Sequence, residues 1–179
     1  MPLQSSIKNV ASMSVEPNLK LTDAERARKQ AEQLFGLTRA SLQSVLPTAD
    51  IRHVGATAIR GCLTKGDLDI VIRVPAKDFA HVETVLSTRF ARNTGSTRTN
   101  HFAAFEDAST DPPLGIQLTT INGPFDFFHD FVEALCASPP LVREYNALKR
   151  AHEGREMPVY RAAKCAFVKR VLAEKRLQR

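Results

Sequence analysis

The chain has 179 residues, 43% of them hydrophobic, and a formal net charge of +6. That length and composition suit one globular domain with a real core and exclude a disordered chain. No apolar run approaches the length of a membrane span, which excludes a helical membrane protein. The first residues, MPLQSSIKNVASMSVEPN, are polar and mixed. They lack the apolar centre of a signal peptide, so a cytoplasmic location with no membrane partner is expected. Cys62, Cys136 and Cys165 are odd in number and widely spaced, which predicts reduced thiols rather than a metal cluster or a disulfide framework.

The positive charge is uneven. Lys149–Arg179 holds ten basic and three acidic residues, against 15 and 16 in the remainder. A solvated helix face or a docking surface for RNA or another polyanion would each explain such an arm.

Residues 1–20 show no periodicity and are expected to form a mobile tail, followed by a single domain over 21–179. Thr22-Asp23-Ala24-Glu25 reads as a capping box with Thr22 as the cap. A first helix then carries Ala27, Ala31, Leu34, Phe35, Leu42, Val45 and Leu46 at helical spacing as far as Pro47, with Gly36 as its weak point. A short strand is expected over Asp50–Val54, a loop over Gly55–Gly66 and a second strand over Asp67–Val74. Lys77–Phe90 reads as a helix and Arg92–Asn100 as polar turns. Two further strands follow, His101–Glu106 and Leu114–Ile121. From about residue 125 the chain reads as helical: Phe125–Ala137, then a helix opening at Pro139 behind Ser138, then one over Met157–Leu172. This order implies an α+β or mixed α/β fold.

The most chemical stretch is HVGATAIRGCLTKGDLDIVIRV, His53–Val74. On a strand, Asp67 and Asp69 point to the same face, roughly 7 Å apart at Cα. Two like charges on an apolar strand call for a counter-charge, and a divalent cation such as Mg²⁺ supplies it. Gly55 just upstream lets backbone N–H groups approach a phosphate. In the last third, Tyr160, Lys164, Phe167 and Val171 fall on one helical stripe, so Lys164 either snorkels to water or meets an anion. Lys65 and Arg60 in the loop are candidate phosphate contacts. His53 is a candidate support for the turn, and His101 a thinner candidate for facing the site.

These motifs resemble the nucleotidyltransferase superfamily. Gly55-Ala56 stands for its glycine and small residue, and Asp67-Leu68-Asp69 for its paired acids in an apolar strand. The GrpB-like family is the closer likeness: HVGATAIRG resembles its turn, FHDFVEALCASPPLVREYNALKR its helix–Pro–helix region, and YRAAKCAF its Tyr-x-x-x-Lys-x-x-Phe helix. The resemblance runs from about Leu21 to Leu172. It implies a nucleotidyltransferase-like mixed β-sheet flanked by helices, with a C-terminal helical part. It further implies a nucleoside triphosphate and Mg²⁺ as ligands and nucleotidyl transfer to an unidentified acceptor. Asp67 and Asp69 would hold the metal and serve catalysis; Gly55, Ala56, Thr57, Lys65, Tyr160 and Lys164 would bind the nucleotide. Two positions depart from the superfamily pattern. Ala56 replaces the usual serine, with Thr57 as the next hydroxyl, and Gln117 on GIQLTTI stands where a third carboxylate is expected, with Glu106 as a substitute. With Gln117 in that place, a binding module for nucleotide or RNA that does no chemistry is the alternative.

Overall fold

The computed structural model of the chain describes residues 18–177. In order it shows α1 (Ala24–Val45), β1 (Asp50–Val54), a 3-10 turn at Ala56–Ala58, β2 (Leu68–Val74), a second 3-10 turn at Ala76–Asp78 and α2 (Phe79–Ser87). Then come β3 (Ala91–Arg92), β4 (Phe102–Asp107), β5 (Leu114–Thr120), α3 (Phe128–Ala137), α4 (Pro139–His152) and α5 (Met157–Leu177). The five strands form one mixed sheet in the order β1-β2-β5-β4-β3. β1 and β2 are antiparallel, β2 and β5 parallel, and β4 is antiparallel to both β5 and β3.

Strand alternation divides the sheet into two faces. Leu68, Ile70, Ile72 and Val74 of β2 join Leu114, Ile116 and Leu118 of β5 against Ala31 and Leu42 of α1 and Phe79, Val82 and Leu86 of α2. Phe102 and Ala104 of β4 face the other way, into a second core with Phe131, Leu135, Val142, Tyr145, Phe167 and Val171 of the last three helices. Both faces of β5 are therefore covered, and all seven of its residues are buried. The result is the expected α+β architecture, a mixed sheet between two helical layers. Among the described residues, no helix is long and apolar enough to cross a membrane.

Several boundaries differ from the sequence expectation. The Lys77–Phe90 helix divides into the 3-10 turn and the shorter α2. A two-residue edge strand, β3, opens the stretch read as turns. α3 starts three residues later than expected, and α5 continues to Leu177.

The helix cap also moves. The Thr22 N–H donates to the Thr64 carbonyl at 3.0 Å in an isolated bridge, one residue before the cap. Asp23 caps α1 instead, its carboxylate accepting from the Arg26 N–H at 2.8 Å. Asp23→Ala is expected to cost about 1 kcal/mol. That corresponds to a fall in Tm of about 2–4 °C by differential scanning calorimetry.

The expected tail divides too. Residues 1–17 lie outside the described residues. Asn18, Leu19 and Lys20 belong to the fold: Asn18 bridges to Glu156, and Leu19, only 2% exposed, packs with Met157 and Tyr160. One well-buried leucine side chain gives the segment a reason to dock.

Candidate active site

The site sits on the α3–α5 face of the sheet, at the start of β2. Strand register sets one row across it: Val54, Asp69, Gly115 and Glu106 are successive partners on β1, β2, β5 and β4. Asp67 immediately precedes β2 rather than lying within it. Asp69 projects from the strand beneath the turn that follows β1. Gly55 in that turn has φ +76°, and a Cβ there would lie 2.5 Å from Asp69 Oδ2. Only a residue without a side chain lets the backbone rest this close to the carboxylate.

Thr57 locks the turn in place. It is 2% exposed, its hydroxyl donates to the Asp67 carbonyl at 3.1 Å, and it lies 3.0 Å from His53 Nε2. Burial lowers His53 to about 4, so its ring is neutral and donates to this hydroxyl. The Thr57 oxygen thus braces the turn on β2 and does not form part of the cavity wall, where the sequence reading had it meeting a nucleotide. His53 stands behind the turn and off the cavity wall.

A cavity of about 140 Å³ opens over the pair of acids. Gly55, Ala56, Lys65, Asp67, Asp69, Gln117, Tyr160 and Lys164 all line it, so eight of the nine predicted site residues meet in one place. Lys65 Nζ lies 2.8 Å from Asp67 Oδ2. Burial first, then the Asp67 charge, push Asp69 up to about 6, against the pull of Lys164, Lys65 and the Gln117 amide. Burial works against the charge on Lys164, yet Tyr160, Asp69 and Asp67 together keep its ammonium above the ordinary lysine range. Gln117 is 6% exposed, and its Nε2 donates to Asp69 Oδ1 at 3.4 Å. Its Oε1 is buried without a hydrogen-bond partner.

Among the described residues, no group of three or more His, Cys, Asp or Glu side chains is placed to hold a metal. The oxygen set over the cavity floor is the carboxylate pair and the amide of Gln117. Glu106 shares the row of Asp69 but is separated from it by Gly115, and it does not line the cavity. His101 lies at the far end of β4, with Nδ1 3.1 Å from Thr120 Oγ1, away from the acids. Arg60 is exposed and off the wall.

Sequence reasoning missed the clamp that shapes the loop before Asp67. Asn146 of α4 accepts from the Leu63 N–H at 2.7 Å and donates to the Gly61 carbonyl at 2.8 Å. Lys149, one turn on, donates to the Leu63 carbonyl and lies 3.2 Å from Cys62 Sγ, with the Tyr145 ring centroid 4.1 Å from its Nζ. Burial lowers Lys149 to about 8, opposed by Cys62. Cys62 is buried under this lysine and off the cavity wall, so it packs as a structural thiol. A legible signal existed: Val142, Tyr145, Asn146 and Lys149 fall on one helical stripe, and all four are buried. Phe127, Phe128 and Phe131 pack in the second core and also wall the cavity.

Two cations of the basic arm have acidic partners. Arg170 pairs with Glu144 at 2.5 Å and Glu174 at 2.9 Å, and Lys175 pairs with Asp130 at 2.9 Å and Glu133 at 2.8 Å.

Comparison with known proteins agrees with this geometry. A family model described as GrpB protein matches residues 23–174. A UPF0157 protein of Vibrio cholerae serotype O1 is 31% identical over 158 residues, covering 88% of this chain and 84% of its own. The crystal structure of GrpB from Enterococcus faecalis superposes with a TM-score of 0.58 at 15% identity, covering 81% of this chain and 92% of that one. The Cid1 poly(U) polymerase with MgGTP bound superposes with a TM-score of 0.52 at 12% identity, covering 72% of this chain and 43% of the polymerase. Likeness at such low identity speaks for the fold alone: a nucleotidyltransferase-like sheet with its helices. The match over most of its length shows that the chain belongs to the GrpB protein family.

Proposed function

We propose that this protein binds a nucleoside triphosphate with Mg²⁺ over Asp67 and Asp69 and transfers its nucleotidyl group to an acceptor. The carrying observation is the contact of the Gly55 turn with Asp69. A phosphate held by the N–H groups of that turn lies beside the acid pair by construction. The cavity offers a divalent cation oxygen ligands, the carboxylates of Asp67 and Asp69 and, on the residue whose amide touches Asp69, a buried Gln117 Oε1 without a hydrogen-bond partner. Such a cation, when bound, would neutralise charge on the transferring phosphate. Ala56 and Gly55 form the near wall, Lys65 balances Asp67, and Tyr160 and Lys164 close the opposite wall from α5. Isothermal titration of the folded protein with MgATP and with MgGTP tests this, and no heat above buffer at millimolar nucleotide would refute it.

Lys164→Met is expected to weaken MgATP binding at least about tenfold, the scale of one charge-assisted phosphate contact. It should also lower Tm by a few degrees, because Asp69 and Asp67 lose the ammonium that offsets their charge. A large fall in Tm with unaltered binding would make Lys164 structural.

A second reading, binding without transfer, is favoured by Gln117, since no carboxylate takes that place. Incubation with MgATP and a pool of acceptors separates the two readings by whether pyrophosphate appears. RNA binding along α5 has less support, because Arg170 and Lys175 already have acidic partners. Gel shifts at rising salt test it, since phosphate contacts weaken steeply with ionic strength.

A further inference from the structure

We infer that a second cavity, at the far end of β2 from Asp69, binds an uncharged, hydroxyl-rich molecule of about monosaccharide size. This site stands apart from the one proposed for the nucleotide and does not depend on it.

The cavity measures about 270 Å³. It opens between Arg73 of β2, the turn at Asn122 and Gly123, the first turn of α3 and the last turns of α5. Arg73 stands four residues beyond Asp69 on β2, on the same face of the sheet and about 13 Å away by strand rise. Phe127 lines both cavities. A dry cavity of about 150 Å³ holds benzene, so this space admits a six-membered ring together with its hydroxyl groups.

The ionic groups around it are already matched. A chain of alternating charge begins and ends on carboxylates of the cavity wall. It runs from Asp126 to Arg73 at 2.6 Å, to Asp50 at 2.5 Å and to Arg52 at 2.9 Å. It continues to Glu133 at 3.3 Å, to Lys175 at 2.8 Å and to Asp130 at 2.9 Å. The four acids of the chain face its three cations, and exposed Arg176 on the wall is the fourth. Arg73 gives Nε, Nη1 and Nη2 to carboxylates. Lys175 donates to the carbonyl and carboxylate of Asp130 and to Glu133. An ion entering here must break a partly buried pair or stand beside a like charge, and both are costly.

What remains is uncharged hydrogen-bonding capacity. His129 Nδ1 is buried without a hydrogen-bond partner, 3.6 Å from Asp126 Oδ1. Burial, then the Arg73 charge, lower His129, so its ring is neutral. The proton of a neutral ring belongs on the nitrogen that faces a carboxylate, which leaves Nε2 as an acceptor. The Asn122 carboxamide has no partner among the described residues; only its backbone N–H is engaged, by Asp126. A hydroxyl both donates and accepts. Neighbouring hydroxyls of one molecule can therefore donate to His129 Nε2 and accept from Asn122 and Arg176. Phe127 and Leu172 offer apolar surface to its C–H groups.

Amide spectra of the isotope-labelled full chain, titrated with D-glucose and with D-ribose, test this, with inorganic phosphate and glycine as charged probes. At least one sugar should shift the signals of Gly123, His129 and Asp130 saturably in the millimolar range, and the charged probes should not. His129→Phe keeps a ring and removes both nitrogens. Asn122→Gly removes the carboxamide at a positive φ that glycine tolerates. Each should weaken sugar binding about tenfold, the scale of one lost hydrogen bond. Both should keep wild-type behaviour toward MgATP, since neither residue lines the nucleotide cavity. Melting curves establish that the variants are folded. Saturable shifts with phosphate or glycine overturn the inference, because the site would then take a charged ligand. So does the lack of saturable shifts with either sugar, and so does sugar binding of unchanged strength in a folded variant of either residue.

Discussion

Asp69→Asn is expected to abolish measurable MgATP binding and to leave the ligand-free protein more stable at pH 7.5. Both effects come from one carboxylate. Asp69 lies under the Gly55 turn and beside Asp67, and these surroundings raise it to about 6 from its ordinary 3.8. An acid with a raised folded pKa holds its proton more tightly when folded. Its stabilising contribution is full below about pH 4 and is lost as pH rises through 6. At pH 7.5 the ionised group therefore costs stability, on the order of 3 kcal/mol. Asparagine has nearly the same shape, can still accept from Gln117 Nε2, and carries no charge. The variant should melt several degrees higher at pH 7.5, since each kcal/mol moves Tm by about 2–4 °C in a chain of this size. The gap between wild type and variant should close toward pH 4.5. Removing one of two adjacent carboxylates leaves a cation too few anionic ligands, so titration with MgATP should be flat. Wild-type affinity in the variant would show that the acid pair is not the binding site. A variant less stable than wild type at pH 7.5 would show that the Asp69 charge is satisfied in the empty protein.

What could be read from the sequence, and what could not, follows from the range of the interactions. β1 was legible to the residue, because Ile51 and Val54 stand in a short segment bracketed by Pro47 and Gly55, and β2 because its burial writes itself as Leu, Ile and Val. The pairing of Gly55 with Asp69 was visible as a motif, and Lys164 as a cation in an apolar stripe. The floor of the site was legible for the same reason: it lies on neighbouring strands. The clamp was not, since Asn146 and Lys149 reach a loop more than 80 residues earlier in the chain. No local period records such a contact. Leu19 escaped for a related cause. One leucine in a polar segment has no periodicity, yet it docks on Met157 and Tyr160 and helps wall the cavity. The brace at Thr57 was not legible, because a hydroxyl after a glycine turn suits a ligand and a backbone carbonyl equally well. Its geometry under β2, with His53 on its other side, selects the carbonyl.

Gly55→Ala is the most damaging single substitution expected at the site. Two independent costs meet there. The backbone has φ +76° and ψ −170°, a region used almost only by glycine. An L-residue held there costs about 1–3 kcal/mol. The new methyl would also lie 2.5 Å from Asp69 Oδ2 and 2.9 Å from Asp69 Cβ, closer than real Cβ contacts come. Asp69 cannot retreat, because its strand is hydrogen-bonded to β1 on one side and β5 on the other. Overpacking of this kind adds about 1–3 kcal/mol. The sum, about 2–6 kcal/mol, should lower Tm by roughly 10 °C. Gly61→Ala is the control: φ there is +74°, but nothing lies within 4 Å of the added carbon. It should show the backbone cost alone, about 1–2 kcal/mol, and keep its MgATP affinity. At 10 °C, where the Gly55 variant still retains folded protein, its MgATP binding should be lost, because the turn can no longer rest on the acid. Equal Tm losses in the two variants would mean that the turn does not press on Asp69. Full binding by folded Gly55→Ala protein would mean that the phosphates are held elsewhere.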